Sequence, residues 1–189
     1  MNEKIHIIPA TIKIKRKDKN IKKARENLLK IINTYDSLLK QLSLEYDYIL
    51  LDCAPGFDLE AIATLHVAGA LLIVTNPDYP SIVTAAKAIE YAKRLKVPVG
   101  GLILNKVENK RYELKSEEIE KALKIKIIQK IPFDKKIPKS IAHRRPLILF
   151  KPRSKASKAY NKLAEIIVGN KKLKKKNFFK KLKFKKNKK

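Results

Sequence analysis

The sequence predicts an α/β fold, a mostly parallel sheet with helices on both faces. Three observations carry this. Apolar runs of four to seven residues alternate with helix-length segments whose apolar residues recur every three or four positions. The runs lack the in–out alternation of a sheet with one wet face, so they read as strands buried on both sides. Each run also ends in a polar, turn-forming loop, and in parallel sheets ligands bind beyond those carboxyl ends.

The elements follow in order. Residues 5–9 form a short β-type run, and residues 20–44 carry helical spacing through Ala24, Leu28, Ile31, Ile32, Tyr35, Leu38, Leu39 and Leu42. Residues 48–51 are a continuous apolar run bounded by Asp47 and Asp52, as expected of a strand buried on both faces. Asp58 is placed to cap a helix that runs to about His66. A second buried strand spans 70–75. Pro80 then opens a long helix to Lys96, with Ile82, Ala85, Ala86, Ile89, Ala92 and Leu95 as its inner stripe. Strand 99–104, helix 116–124, strand 125–131, helix 134–142 and helix 155–168 complete the series. The loops that close the strands are Asp52 to Gly56, Asn76-Pro77-Asp78, Asn105-Lys106 and Pro132-Phe133-Asp134.

At 189 residues the chain accommodates one ordinary core, assigned to residues 1–169, followed by a tail at 170–189. The net charge is +27, and the tail supplies 12 lysines with no arginine and no acid, leaving +15 on the body. Such a surface attracts anions: nucleic acid, acidic lipid, nucleotide phosphates or acidic protein. A single cysteine, Cys53, rules out an intrachain disulfide and fits a reducing cytoplasm. The three histidines are scattered, which argues against a zinc site. The longest apolar stretch, near 67–74, falls far short of the roughly 20 residues a spanning helix needs. The expected location is therefore cytoplasmic, or peripheral on the inner face of the cell membrane.

Several short pieces, in this order, resemble the later part of MinD/ParA-type P-loop ATPases, with archaeal MinD-like proteins the nearest fit. They are Ile-Ile-Pro-Ala at 7–10, Leu-Leu-Asp-Cys-Ala-Pro-Gly at 50–56, Thr-Asn-Pro-Asp at 75–78, Leu-Asn-Lys at 104–106 and Ile-Pro-Phe-Asp at 131–134. Pro146 and Lys151-Pro152-Arg153-Ser154, before the last helix, complete the set. The resemblance implies an ATP-binding ATPase that acts with magnesium in spatial positioning or cell division. Asp52 would hold a magnesium-bound water, a role suited to a carboxylate because magnesium keeps much of its water shell. Gly56 would offer its backbone N–H to the terminal phosphate, where a side chain would block close approach. Asn105 would read adenine, since a side-chain amide donates and accepts at once. Pro132 and Asp134 would line the base pocket, although Asp134 is equally suited to capping a helix.

One departure from the family stands out. No G-x-x-x-x-G-K-[ST] loop exists anywhere in the chain, and its five glycines (Gly56, Gly69, Gly100, Gly101 and Gly169) form no substitute. The resemblance therefore covers the family domain without its first strand, phosphate loop and first helix. Phosphoryl transfer is mostly positioning and charge stabilisation, much of it supplied by that loop, so this chain alone is expected to be catalytically impaired. In the family the loop-bearing strand lies between strands 48–51 and 70–75. Its absence implies a gap filled by another polypeptide, a sheet closed over the gap, or a truncated product.

In the tail, Phe178, Phe179 and Leu182 share about a 100° arc of a helical wheel, with Phe184 outside it. The tail resembles in place and type the membrane-targeting helix of MinD-like proteins. Lysines near an anionic bilayer contribute about 1 kcal/mol each. Phe178, Phe179, Leu182 and Phe184 are thus the candidate membrane-binding residues. The partners implied are a second copy or a complementing chain that carries the phosphate loop, and an anionic membrane surface. Two alternatives remain open: a non-enzymatic, membrane-tethered interaction module, and a nonspecific nucleic-acid binder. Lysine without arginine argues against specific base readout in the second.

Overall fold

The computed structural model describes residues 21–53 and 58–169. The β-type run at 5–9, the turn that contains Gly56, and the tail with Phe178, Phe179, Leu182 and Phe184 lie outside the described residues. The chain divides into two compact units, Met1–Thr64 and Leu65–Lys189.

In the first unit, α1 (Ile21–Leu42) follows the helical spacing of its sequence, and Ile31 is buried. The helix α2 (Leu59–Val67) begins where the sequence predicts, because the Asp58 carboxylate accepts the Ala61 N–H at 2.9 Å. Ala61 and Ala63 are buried. Tyr35 stands near this helix start. Burial, then the charges of Glu60, Cys53 and Asp58, raise its pKa above the ordinary phenol value.

The run at 48–51 corrects the sequence reading, for it is not a strand. Tyr48 and Leu51 are exposed, and Leu50 is 78% exposed. An apolar run becomes a strand only where neighbouring strands take up its N–H and C=O groups. The sheet formed by the described residues has three strands, and 48–51 is not among them.

That sheet belongs to the second unit. Its strands β1 (Leu71–Thr75), β2 (Val99–Val107) and β3 (Ile127–Pro132) are parallel, in the order β1-β2-β3. The crossovers are α3 (Tyr79–Arg94) and α4 (Ser116–Leu123); α5 (Lys136–Ala142), α6 (Leu147–Phe150) and α7 (Lys155–Val168) follow. The Asp78 carboxylate caps α3 by accepting the Ser81 N–H at 2.9 Å, with Pro80 in the first turn. Gly169 closes α7 in the left-handed conformation (φ +74°) and donates its N–H to the Glu165 carbonyl.

Successive residues of β2 serve opposite faces. Leu102 and Leu104 join Ile73, Ile82, Ala85, Ile89, Ile119 and Leu123 in one core, against α3 and α4. Ile103 joins Ile131, Leu147, Ala156 and Ala159 in the other, against α6 and α7. Both faces of the sheet are covered, which is why β1 and the middle of β2 read as continuous apolar runs; β3 carries Gln129 and Lys130 in its middle. Among the described strands β1 is an edge strand that pairs with β2 alone, and Val74 on it is 61% exposed.

Candidate functional site

Because the sheet is parallel, the loops after β1, β2 and β3 emerge at a single edge. Asn105, Pro132 and Asp134 are therefore brought to that edge, beside Asn76-Pro77-Asp78. The β2–β3 register slips between Leu104 and Val107, and Lys106 takes a left-handed backbone (φ +54°). This bulge turns the chain at Asn105, the kind of local break that re-aims side chains at sheet rims. The ladder then resumes, with Val107 opposite Pro132 and the Phe133 N–H donated to the Val107 carbonyl at 3.0 Å. Asn105 is half-buried, and its side-chain amide makes no hydrogen bond to a described residue.

The surrounding loops are tied down by side chain-to-backbone bonds. Glu113 accepts the N–H groups of Glu108 and Asn109, both at 2.8 Å. The Leu114 N–H reaches the Pro77 carbonyl at 3.0 Å and so joins the loop after β1 to the one after β2. Asp134 works the same way. Burial opposes its charged form, but the Lys136 N–H at 2.9 Å, the Ser154 hydroxyl and the Ala156 N–H hold its carboxyl below the ordinary carboxylate range. Asp134 thus fastens the start of α5 to the start of α7. Ser157, fully buried, continues the lock: it accepts from Ser154 at 3.0 Å and donates to the Lys151 carbonyl at 2.8 Å. The segment 146–154 is held over the end of β3 by these bonds.

Asp52 belongs to the first unit and is exposed. Its neighbour Cys53 donates to the Ala61 carbonyl at a sulfur distance of 3.9 Å, and burial first of all raises its thiol pKa. Gly56 lies outside the described residues. Of the sequence-predicted site residues, the structure thus gathers Asn105, Pro132 and Asp134.

Sequence reasoning missed Glu113 and Lys106, whose roles are backbone ones that residue type does not announce. It also missed a run with a visible signal: residues 135–164 hold ten lysines and arginines and no acid. No group of three or more His, Cys, Asp or Glu side chains suited to a metal ion exists among the described residues.

Comparison with known proteins now has a geometry to meet. A family model described as "4Fe-4S iron sulfur cluster binding proteins, NifH/frxC family" matches residues 5–183. An uncharacterized ATP-binding protein of Methanocaldococcus jannaschii is 30% identical over 138 residues, which is 73% of this chain and 52% of that protein. The crystal structure of the cell division ATPase MinD from Pyrococcus furiosus superposes with a TM-score of 0.66 at 28% identity, covering 71% of this chain and 56% of that one. The septum site-determining protein MinD from Pyrococcus horikoshii, solved in complex with Mg-ADP, gives 0.66 at 27% identity, covering 74% and 58%. The chain spans about half the length of the curated relatives it matches.

The cluster in the family description does not fit these residues. A [4Fe–4S] cluster is held by four cysteine thiolates, and this sequence has one cysteine. Two copies would still supply only half the ligands.

Proposed function

This chain belongs to the NifH/frxC family of P-loop ATPases, alongside MinD and ParA proteins, and we propose that it supplies the base-reading and magnesium-side parts of a MinD/ParA-like ATP site. The observation that carries this reading is Asn105. It sits at the carboxyl edge of a parallel sheet, turned by the bulge at Lys106, with a side-chain amide uncommitted among the described residues. Such an amide can donate to a ring nitrogen and accept from the adjacent exocyclic amino group in a single plane, the pair of groups an edge of adenine presents.

Pro132 and Asp134 flank the pocket in this reading. The carboxylate of Asp134 is spent on N–H and O–H donors of the chain, so it shapes the base pocket rather than bonding to the base. Asp52 would hold a magnesium-bound water, and Gly56 would present its N–H to the terminal phosphate. ATP, when bound, supplies the phosphoryl group, and magnesium neutralises its charge. No phosphate loop lies within these 189 residues, so in this reading its lysine and backbone amides are supplied from outside them. By itself the chain binds ATP weakly and turns it over poorly.

The tail adds location. Its lysines and Phe178, Phe179, Leu182 and Phe184 would hold the complex on an anionic membrane facing the cytoplasm, where it would take part in spatial positioning. Among the described residues no helix is long and apolar enough to cross a membrane.

Thermal unfolding tests the nucleotide reading. Magnesium-ATP at 100 times its dissociation constant should add about 2.7 kcal/mol to stability, and Asn105→Ala should remove that gain. No shift in the intact chain would leave the non-enzymatic interaction module. Vesicle co-sedimentation tests the tail: binding to anionic lipid should vanish on deletion of residues 170–189. Duplex DNA binding that falls steeply with salt, with no preference for anionic vesicles, would replace the membrane reading with the nucleic-acid one.

A further inference from the structure

We infer that the groove between α5, α6 and α7 is a docking site for an acidic amphipathic helix of a partner protein. The groove has a volume of about 310 Å³ and is lined by Ile137, Ile141, Leu147, Ile148, Tyr160 and Arg145, among others. Leu147 forms its floor and is buried, whereas Ile141 is 70% exposed and Ile148 and Leu149 are exposed too. Single exposed apolar residues are ordinary, but several converging on one concavity mark an interaction surface. The Asp134–Ser154–Ser157 lock holds α6 against α7, so the groove is preformed.

Charge selects the occupant. Residues 135–168, which build these helices, carry ten cations against a single acid, Glu165 near the end of α7, and all ten cations are exposed. The ion pairs of the described residues, Lys40–Asp36, Arg94–Glu90 and Lys126–Glu120, use none of them. Arg145 is part of the lining itself, with Arg144 next to it and Lys136 and Lys139 on α5. An apolar floor inside a basic field matches a helix with apolar anchors at i, i+3 or i+4, and i+7, and acids beside them. A nucleic-acid backbone would leave the apolar floor unfilled. A bilayer surface, being broad and flat, would meet the rim and not the concavity.

The test is selection from a displayed library of peptides about 16 residues long, roughly 24 Å of helix, against the intact 189-residue chain. The Ile141→Glu and Ile148→Glu variants, both at exposed positions, serve as counter-selections once their melting curves match that of the parent. Arg145→Glu stands in if either fails to fold. Enriched peptides should carry apolar residues at helical spacing with Asp or Glu between them. Their affinity should fall at least tenfold with each groove substitution and several-fold as salt rises. Three results would overturn the inference. They are no enrichment, enrichment for acidity alone with affinity indifferent to the groove substitutions, and loss of duplex DNA or anionic vesicle binding with those substitutions while no peptide is selected.

Discussion

Gly101 is the position at which one added methyl group should cost most. Its φ of +153° lies where side-chain-bearing residues rarely go, and a Cβ built there would lie 2.5 Å from Ile128 Cγ2 and 3.1 Å from Cδ1 and Cγ1. The site matters to function because the β1–β2 register shifts at Leu71/Leu72, opposite Gly101, and runs unbroken from there to Thr75 and Leu104, directly before Asn105. Backbone strain of this kind costs about 1–3 kcal/mol, and overpacking in a dense core about as much again. Gly101→Ala should therefore destabilise the sheet by about 3 kcal/mol, in the lower half of the roughly 2–6 kcal/mol that the two ranges sum to. With a denaturant slope near 1.5 kcal/mol/M, the urea midpoint should drop by about 2 M. Adding Ile128→Ala removes the atoms in collision, so in that background Gly101→Ala should cost at least about 1 kcal/mol less, the remainder being backbone strain. A loss below about 0.5 kcal/mol for Gly101→Ala alone would refute the reasoning, because a surface substitution costs that little.

Other predictions follow from the same geometry. Ser157→Ala should cost about 1–3 kcal/mol by urea unfolding, since it leaves the Lys151 carbonyl and the Ser154 hydroxyl without their buried partner. Asp134 has a lowered folded-state pKa, so its contribution is complete above the ordinary carboxylate range and disappears as pH falls through the folded value. Asp134→Asn should thus lower the melting temperature at pH 7 and converge with the parent as the pH falls through the folded-state value, below the ordinary carboxylate range. On the edge strand β1, Val74→Lys should leave stability within about 0.5 kcal/mol and reduce self-association measured by light scattering, because edge lysines block strand addition.

How far the sequence carried is clear from particular elements. Helix α7 was legible to the residue, since Ser154 caps its start, Gly169 closes its end and an apolar stripe runs between them. Strands β1 and β2 were legible because covering both faces of a sheet favours continuous apolar runs, and β3 because Ile127, Ile128 and Ile131 still mark it despite Gln129 and Lys130. The same rule failed at 48–51. Composition reports that a segment is apolar, whereas a strand also needs a neighbouring strand in a ladder, and 48–51 is not among the three strands of the described sheet. Helix α6 went unseen because Leu147-Ile148-Leu149-Phe150 is one apolar turn without periodicity, fixed by Pro146 and the Ser157 bonds rather than by its own pattern. In the site, Asn105 was readable as a residue at a strand end. The bulge that turns it was not, because Lys106 gives no sign of its positive φ. Asp134 was readable both as a helix cap and as a pocket residue, and its bonds to Lys136, Ser154 and Ala156 make it a clamp between two helices.

Calorimetry with magnesium-ATP on the purified chain decides whether it holds a working part of an ATP site. Titrations of Asn105→Ala and Asp52→Ala run beside the parent. The account predicts weak binding by the parent, lost or reduced at least tenfold with Asn105→Ala, and reduced with Asp52→Ala only when magnesium is present. Absence of binding by a folded parent chain, or binding that both substitutions leave unchanged, would contradict it.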